Sequence, residues 1–183
     1  MAGHRPRCVA MLRGINLGSH NRISMPDLRA AFAATGLGDV ETYVQSGNVI
    51  FDGGRAKDTA LEQQIRELIA DSFGLDVPVL VRSGRELGSI VKANPFLRDG
   101  AAAGRLYVTF LGSTPDPAQV KQLGPGTDGR DEWRVAGREI YLHCPIDYGH
   151  SKLTNAFFER KLGVTATTRN WKSTLALAEL AAG

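Results

Sequence analysis

The stretch Val40-Glu41-Thr42-Tyr43-Val44-Gln45-Ser46-Gly47-Asn48-Val49-Ile50-Phe51-Asp52 reads as a β-hairpin turning at Ser46-Gly47. With those two residues as the turn, Val40, Val44, Val49 and Phe51 are expected on one face. Tyr43, Gln45, Asn48 and Ile50 then fall on the other, so one face is core and the other largely polar. The flanking segments decide the fold. Upstream, residues 9–12 form a short apolar run stopped by Arg13-Gly14, as expected of a central strand feeding a loop. Ser24 followed by Asp27, with Pro26 in the first turn, marks a helix start; Leu28, Ala31 and Phe32 form its apolar face and Gly36 stops it. Downstream, Thr59 and Glu62 have capping-box spacing, Leu61, Ile65, Leu68, Ile69 and Phe73 recur at helical intervals, and Gly74 ends the run. Residues 77–82 follow as a strand. The order strand, helix, hairpin, helix, strand is that of a ferredoxin-like βαββαβ unit. Ser83 and Glu86 then cap an added helix, with Leu87, Ile90 and Val91 inward, ending near Asn94-Pro95.

The second half repeats this order. Residues 106–111 read as a strand, 116–123 as a short helix, and 132–144 as a hairpin turning near Ala136-Gly137. Residues 151–162 are again helical, 164–169 again a strand, and 171–180 again a terminal helix. In both halves a Gly-stopped helix leads to a short strand ending in Arg, at Arg82 and at Arg169, followed by an N-cap residue and a helix. The expected architecture is therefore α+β: two ferredoxin-like halves, each followed by an extra helix. Residues 1–97 form the first, 98–104 an Ala- and Gly-rich linker, and 105–183 the second.

The 183 residues, 43% hydrophobic and 22% charged, suit a globule of one large or two small domains. No apolar run approaches the roughly 20 residues of a bilayer-spanning helix. Cys8 and Cys144 lie far apart in apolar stretches and read as buried thiols. The apolar run at 8–12 is too short for a signal-peptide core, so a cytoplasmic location is expected. A net charge of +3 hides an uneven distribution: residues 1–29 carry five Arg against one Asp, and residues 150–172 carry five Lys or Arg against one Glu. The stretch between is net acidic, with 12 basic and 16 acidic residues.

Three polar segments are candidates for chemistry. In the loop Arg13-Gly14-Ile15-Asn16-Leu17-Gly18-Ser19-His20-Asn21, glycines free backbone N–H groups, Arg13 offers a planar five-donor fork and Asn16 a directional amide. The loop is neither a Walker loop nor a G-x-G-x-x-G fingerprint, and its glycines equally serve a plain strand-to-helix turn. The second and third are Tyr148-Gly149-His150-Ser151-Lys152 and Thr167-Thr168-Arg169-Asn170-Trp171, each expected to open a helix. A cation beside the positive end of a helix dipole costs on the order of 0.3 to 1 kcal/mol. A bound anion would relieve that conflict at Lys152 and Arg169 by pairing with the cation and accepting from the free N–H groups; swinging into solvent would relieve it as well. Asp147, His150 and Ser151 are triad residue types, but one five-residue loop does not bring them to collinear Ser–His–Asp geometry. His4, His20, His143 and His150 lack paired ligand spacing, so no metal is expected. Trp133 and Trp171 read as packing residues, and strand 47–51 lacks the alternating aromatics of ferredoxin-like RNA-binding domains.

Met11-Leu12-Arg13-Gly14-Ile15-Asn16-Leu17-Gly18 and Tyr43-Val44-Gln45-Ser46-Gly47-Asn48-Val49-Ile50-Phe51 resemble the bacterial domain-of-unknown-function 1697 family. Further matches are Val77-Pro78-Val79 before Arg82, Asn94-Pro95-Phe96, Ser151-Lys152-Leu153 and Ala166-Thr167-Thr168-Arg169-Asn170-Trp171. The resemblance implies an α+β protein with a ferredoxin-like N-terminal part; it implies no activity, substrate, cofactor or catalytic residues. It places Arg13, Asn16, Gln45, Asn48, Lys152, Arg169 and Asn170 on the family's motifs.

The expectation is that Arg13, Gly14, Asn16, Gln45, Asn48, Ser151, Lys152, Arg169 and Asn170 bind a phosphate- or carboxylate-bearing small ligand in a cleft between the halves, without a cofactor. The alternatives are a nucleic-acid-binding module using the two basic segments as a phosphate track, and a purely structural polar interface between the halves.

Overall fold

A computed structural model describes residues 7–183, apart from the side chains of Thr127 and Asp128. His4, and the start of the N-terminal basic segment with it, lies outside the described residues. The backbone divides into two compact units, Met1–Ser89 with Leu177–Gly183, and Ile90–Ala176. Each mixes helices with an antiparallel sheet, the α+β class expected.

In the first unit β1 (Arg7–Leu12), α1 (Met25–Ala33), β2 (Gly38–Tyr43), β3 (Asn48–Asp52), α2 (Asp58–Phe73) and β4 (Val79–Ser83) follow one another, and the strands pair antiparallel in the order β2-β3-β1-β4. The continuous apolar run of β1 is explained by its central place, since residues 8–12 are buried on both faces of the sheet. Cys8, Ala10 and Leu12 join Val49, Phe51 and Val81 against Leu28 and Phe32 of α1 and Leu61, Ile65 and Ile69 of α2. Facing the other way, Val9 sits in register between Ile50 and Arg82, and Met11 between Asn48 and Leu80. All six are buried.

Local signals hold at α1, where Ser24 Oγ accepts from the Asp27 N–H at 3.2 Å, and at the end of α2, where Gly74 is left-handed with φ +67°. Two expectations are corrected. The Thr59–Glu62 capping box does not form: α2 starts at Asp58, and Glu62 Oε1 instead accepts from the Val81 N–H at 2.9 Å, tying the helix to β4. The hairpin turn takes four residues, 44–47, and Val44 leaves the core face for an exposed position with φ +49°. At Ser83 the box does close: its Oγ accepts from the Glu86 N–H at 3.3 Å, while Glu86 Oε2 accepts from the Ser83 N–H at 2.8 Å, opening α3 (Gly84–Lys92).

The second unit carries α4 (Pro95–Arg98), β5 (Leu106–Leu111), α5 (Pro117–Gln122), β6 (Thr127–Asp128), β7 (Asp131–Ala136), β8 (Glu139–His143), α6 (Asn155–Leu162), β9 (Ala166–Asn170) and the first half of α7 (Trp171–Ala182). Its sheet order is β6-β7-β8-β5-β9, again antiparallel, with β6 a strand not anticipated from the sequence. Leu111, Ile140, Leu142 and Ala166 pack on Leu153, Phe158 and Leu162. The register echoes the first unit: Val108, third residue of β5, lies between Tyr141 and Arg169, as Val9, third residue of β1, lies between Ile50 and Arg82. Each of these arginines donates to the carbonyl of its preceding residue, at 2.9 Å for Arg82 and 3.0 Å for Arg169.

The helix expected from Ser151 starts only at Asn155. Thr154 is its N-cap, accepting from the Phe157 N–H at 3.1 Å, while residues Tyr148–His150 form a separate 3-10 turn. Trp133 and Trp171 are buried packing residues, as expected. So are the free thiols Cys8 and Cys144, which burial pushes up to about 11. Among the described residues no helix is long and apolar enough to cross a membrane.

Candidate functional site

The loop leaving β1 is held by its own polar residues. The Leu12 N–H donates to Gly47 O at 2.8 Å and the Arg13 N–H to Pro78 O at 2.9 Å, fixing where the loop departs. Gly14, Asn16, Gly18 and Asn21 all adopt positive φ, conformations that glycine and asparagine tolerate best. The Asn16 side chain is the brace: Nδ2 donates to Ile23 O and to Gln45 O, both at 2.9 Å, and Oδ1 accepts from the Ile23 N–H at 2.9 Å. One amide thereby joins the loop's beginning, its end and the β2-β3 turn.

That turn is fitted to the loop. Gly47 has φ +78°, and a Cβ there would sit 2.8 Å from Cγ1 of Ile15. Fully buried Asn48 donates to Tyr43 O at 3.1 Å and to Ser46 Oγ at 2.9 Å, closing the turn from within. The R-G-I-N and Q-S-G-N segments therefore meet, and beside them opens a pocket of about 480 Å³. Asn16 and the exposed Gln45 line it together with Arg22, Ser24 and Met25 at the start of α1. Of the expected residues in this unit, Asn16 and Gln45 reach the pocket. Half-buried Arg13 and Gly14 and buried Asn48 are not among its lining residues. Arg22 was missed, although a cation two residues before the Ser24 N-cap was a legible signal.

In the second unit the expected residues separate. Ser151 is turned inward, its Oγ accepting from the Leu153 N–H at 3.1 Å while its hydroxyl donates to the Cys144 sulfur. It is no part of a triad. Lys152 is exposed and lines a pocket of about 270 Å³ with Arg130, Asp131, Asp147 and His150. Arg169 does not swing into solvent: only 8% exposed, it donates to Thr167 Oγ1 at 2.8 Å and to Thr168 O, and burial brings its pKa down to about 10, still cationic at neutral pH. Asn170 caps α7, its Oδ1 accepting from the Ser173 N–H at 2.8 Å, and lines a different pocket with Tyr107 and Trp171.

No curated protein matches the sequence significantly. Among solved structures, the conserved bacterial protein SP0830 from Streptococcus pneumoniae superposes with a TM-score of 0.77 at 21% identity, covering 96% of this chain and 98% of its own. That likeness shows the fold. The family described as "Protein of unknown function (DUF1697)" matches residues 6–141, which hold both loop segments and most of the strands around them. On that match, the chain belongs to the DUF1697 family of proteins of unknown function.

Proposed function

We propose that the protein binds a small phosphate- or carboxylate-bearing ligand in the loop pocket of its first unit. The observation that carries this reading is Asn16, whose amide ties both family segments into the wall of one pocket. A volume of about 480 Å³ falls in the usual range for small-molecule sites, on the order of 300 to 1,000 Å³. Exposed Arg22 supplies a planar fork for an oxyanion and exposed Gln45 an amide, beside the positive end of α1. In this reading Asn16 holds the wall, Gly47 and Asn48 set the turn that carries Gln45, and Arg22 and Gln45 touch the ligand. We also read both units as ferredoxin-like and related to each other; the strand orders, the paired registers at Val9 and Val108, and the matched arginines support it.

The test is thermal and urea unfolding of the wild type with a panel of inorganic phosphate, pyrophosphate and small phosphorylated or carboxylated metabolites. A true ligand at a hundredfold excess over its dissociation constant adds about 2.7 kcal/mol of stability. Arg22→Ala and Gln45→Ala should remove that gain. A panel with no effect on the wild type, or an undiminished gain in Arg22→Ala, rejects the reading. Association with unspecific DNA that weakens steeply with salt would instead favour the nucleic-acid alternative.

A further inference from the structure

The pocket around Lys152 has a charge balance set by one proton. Its described lining side chains include two cations, Arg130 and Lys152, and two carboxylates, Asp131 and Asp147, which cancel while the fifth ionisable group, His150, is neutral. His150 is oriented: Nδ1 lies 2.9 and 2.8 Å from the two carboxylate oxygens of Asp147, and the carboxylate also accepts the His150 N–H at 3.0 Å. A Cβ on Gly149 would stand 3.1 Å from Asp147 Oδ1, so the small residue between them leaves the carboxylate room to reach the ring. The imidazole side chain is 84% exposed, and Nε2 makes no hydrogen bond among the described residues. Asp147 therefore fixes which nitrogen faces its carboxylate and leaves the other to exchange a proton with water.

We propose that this pocket is a second binding site, for a small molecule carrying a tetrahedral oxyanion such as phosphate, and that protonation of His150 switches it on. With the imidazole neutral the lining has no net attraction for an anion. With the imidazolium formed, the lining carries one net positive charge, and three donors of different reach (the Arg130 fork, the Lys152 ammonium and the ring Nε2–H) border about 270 Å³. Asp147 acts as a positioning residue that holds the ring, and its own carboxyl is held below the usual range chiefly by the His150 hydrogen bond. The residues differ from those of the Arg22 pocket, so the inference stands independently of the function proposed above.

Sulfate is the probe of choice because it keeps its charge between pH 6 and pH 8, so any pH dependence belongs to the protein. Titrations would be followed by calorimetry and by the His150 ring resonance in NMR, at constant ionic strength. The expected result is sulfate binding about tenfold tighter at pH 6 than at pH 8, with the His150 resonance responding and that of His20 not. Lys152→Ala and Arg130→Ala, both at exposed positions, should weaken the binding seen at pH 6. His150→Gln should flatten the pH profile, and Asp147→Asn should reduce its amplitude. Arg22→Ala should leave all of this intact. Absence of binding at pH 6, a pH dependence that survives His150→Gln, or loss of the whole signal in Arg22→Ala would each overturn the proposal.

Discussion

Replacing Asn16 tests the role that the loop geometry gives it. Asn16→Ala removes three hydrogen bonds, to Ile23 O, to Gln45 O and from the Ile23 N–H, each at 2.9 Å. At about 1 kcal/mol net for each, the loss is about 3 kcal/mol. The backbone adds to it, since Asn16 has φ +54°, and alanine there costs about 1 kcal/mol more than asparagine or glycine. Asn16→Ala should thus cost about 4 kcal/mol and Asn16→Gly somewhat less, because glycine keeps the left-handed conformation while losing the same bonds. Both tryptophans lie in the second unit, so their fluorescence is the wrong probe. Urea unfolding by far-UV circular dichroism, with the slope compared between variants, reads the first unit as well. If Asn16→Ala lies within 0.5 kcal/mol of the wild type, or if Asn16→Gly is the less stable of the two, the bracing argument fails.

Three further outcomes are expected. Gly47→Ala places a Cβ 2.8 Å from Ile15 Cγ1 at φ +78°, so it should lose about 1 to 3 kcal/mol and weaken ligand gain at the neighbouring pocket, both read from unfolding curves with and without ligand. Arg169→Ala strands the Thr167 hydroxyl and the Thr168 carbonyl and should cost about 1 to 3 kcal/mol, whereas an Arg169 that serves only a ligand would leave the empty protein unchanged. Cys8 and Cys144, pushed up to about 11 by burial, should resist a thiol reagent at pH 8 until urea unfolds the chain; prompt labelling of the folded protein would contradict their burial.

Asp147 adds a pH dependence of defined sign. Its folded carboxyl is held below the usual range by His150, so its stabilisation of the 148–150 turn is complete above the unfolded carboxylate range and is lost as pH falls through the folded value. Amide exchange of the His150 N–H should accelerate over that acid window relative to neighbouring amides, and Asp147→Asn should abolish the change.

Features whose partners lie within about four residues were legible in the chain alone. Ser24 with Asp27 starts α1, Ser83 with Glu86 starts α3, and Gly74 and Gly163 end α2 and α6 in left-handed conformations, because each signal satisfies nearby backbone groups without help from the rest of the chain. The apolar run of β1 marked a central strand for an equally local reason. Tertiary structure decided the cases in which a distant group competed for the same atom. Glu62 has the spacing to cap α2, yet its carboxylate goes to the Val81 N–H, 19 residues away. Ser151 looked like a helix opening, but its hydroxyl is taken by Leu153 and Cys144, and Thr154 caps α6 instead. Asn16 and Asn48 were expected to contact a ligand because they are polar and lie on the family's motifs; in the fold their amides donate to the carbonyls of Ile23, Gln45 and Tyr43. Arg22 lies on no family motif; its place two residues before the Ser24 N-cap was legible, but the pocket it lines forms only where the β2-β3 turn folds onto the β1 loop. A buried polar atom takes whatever partner the fold brings within about 3 Å, and sequence spacing cannot rank partners that only folding makes neighbours.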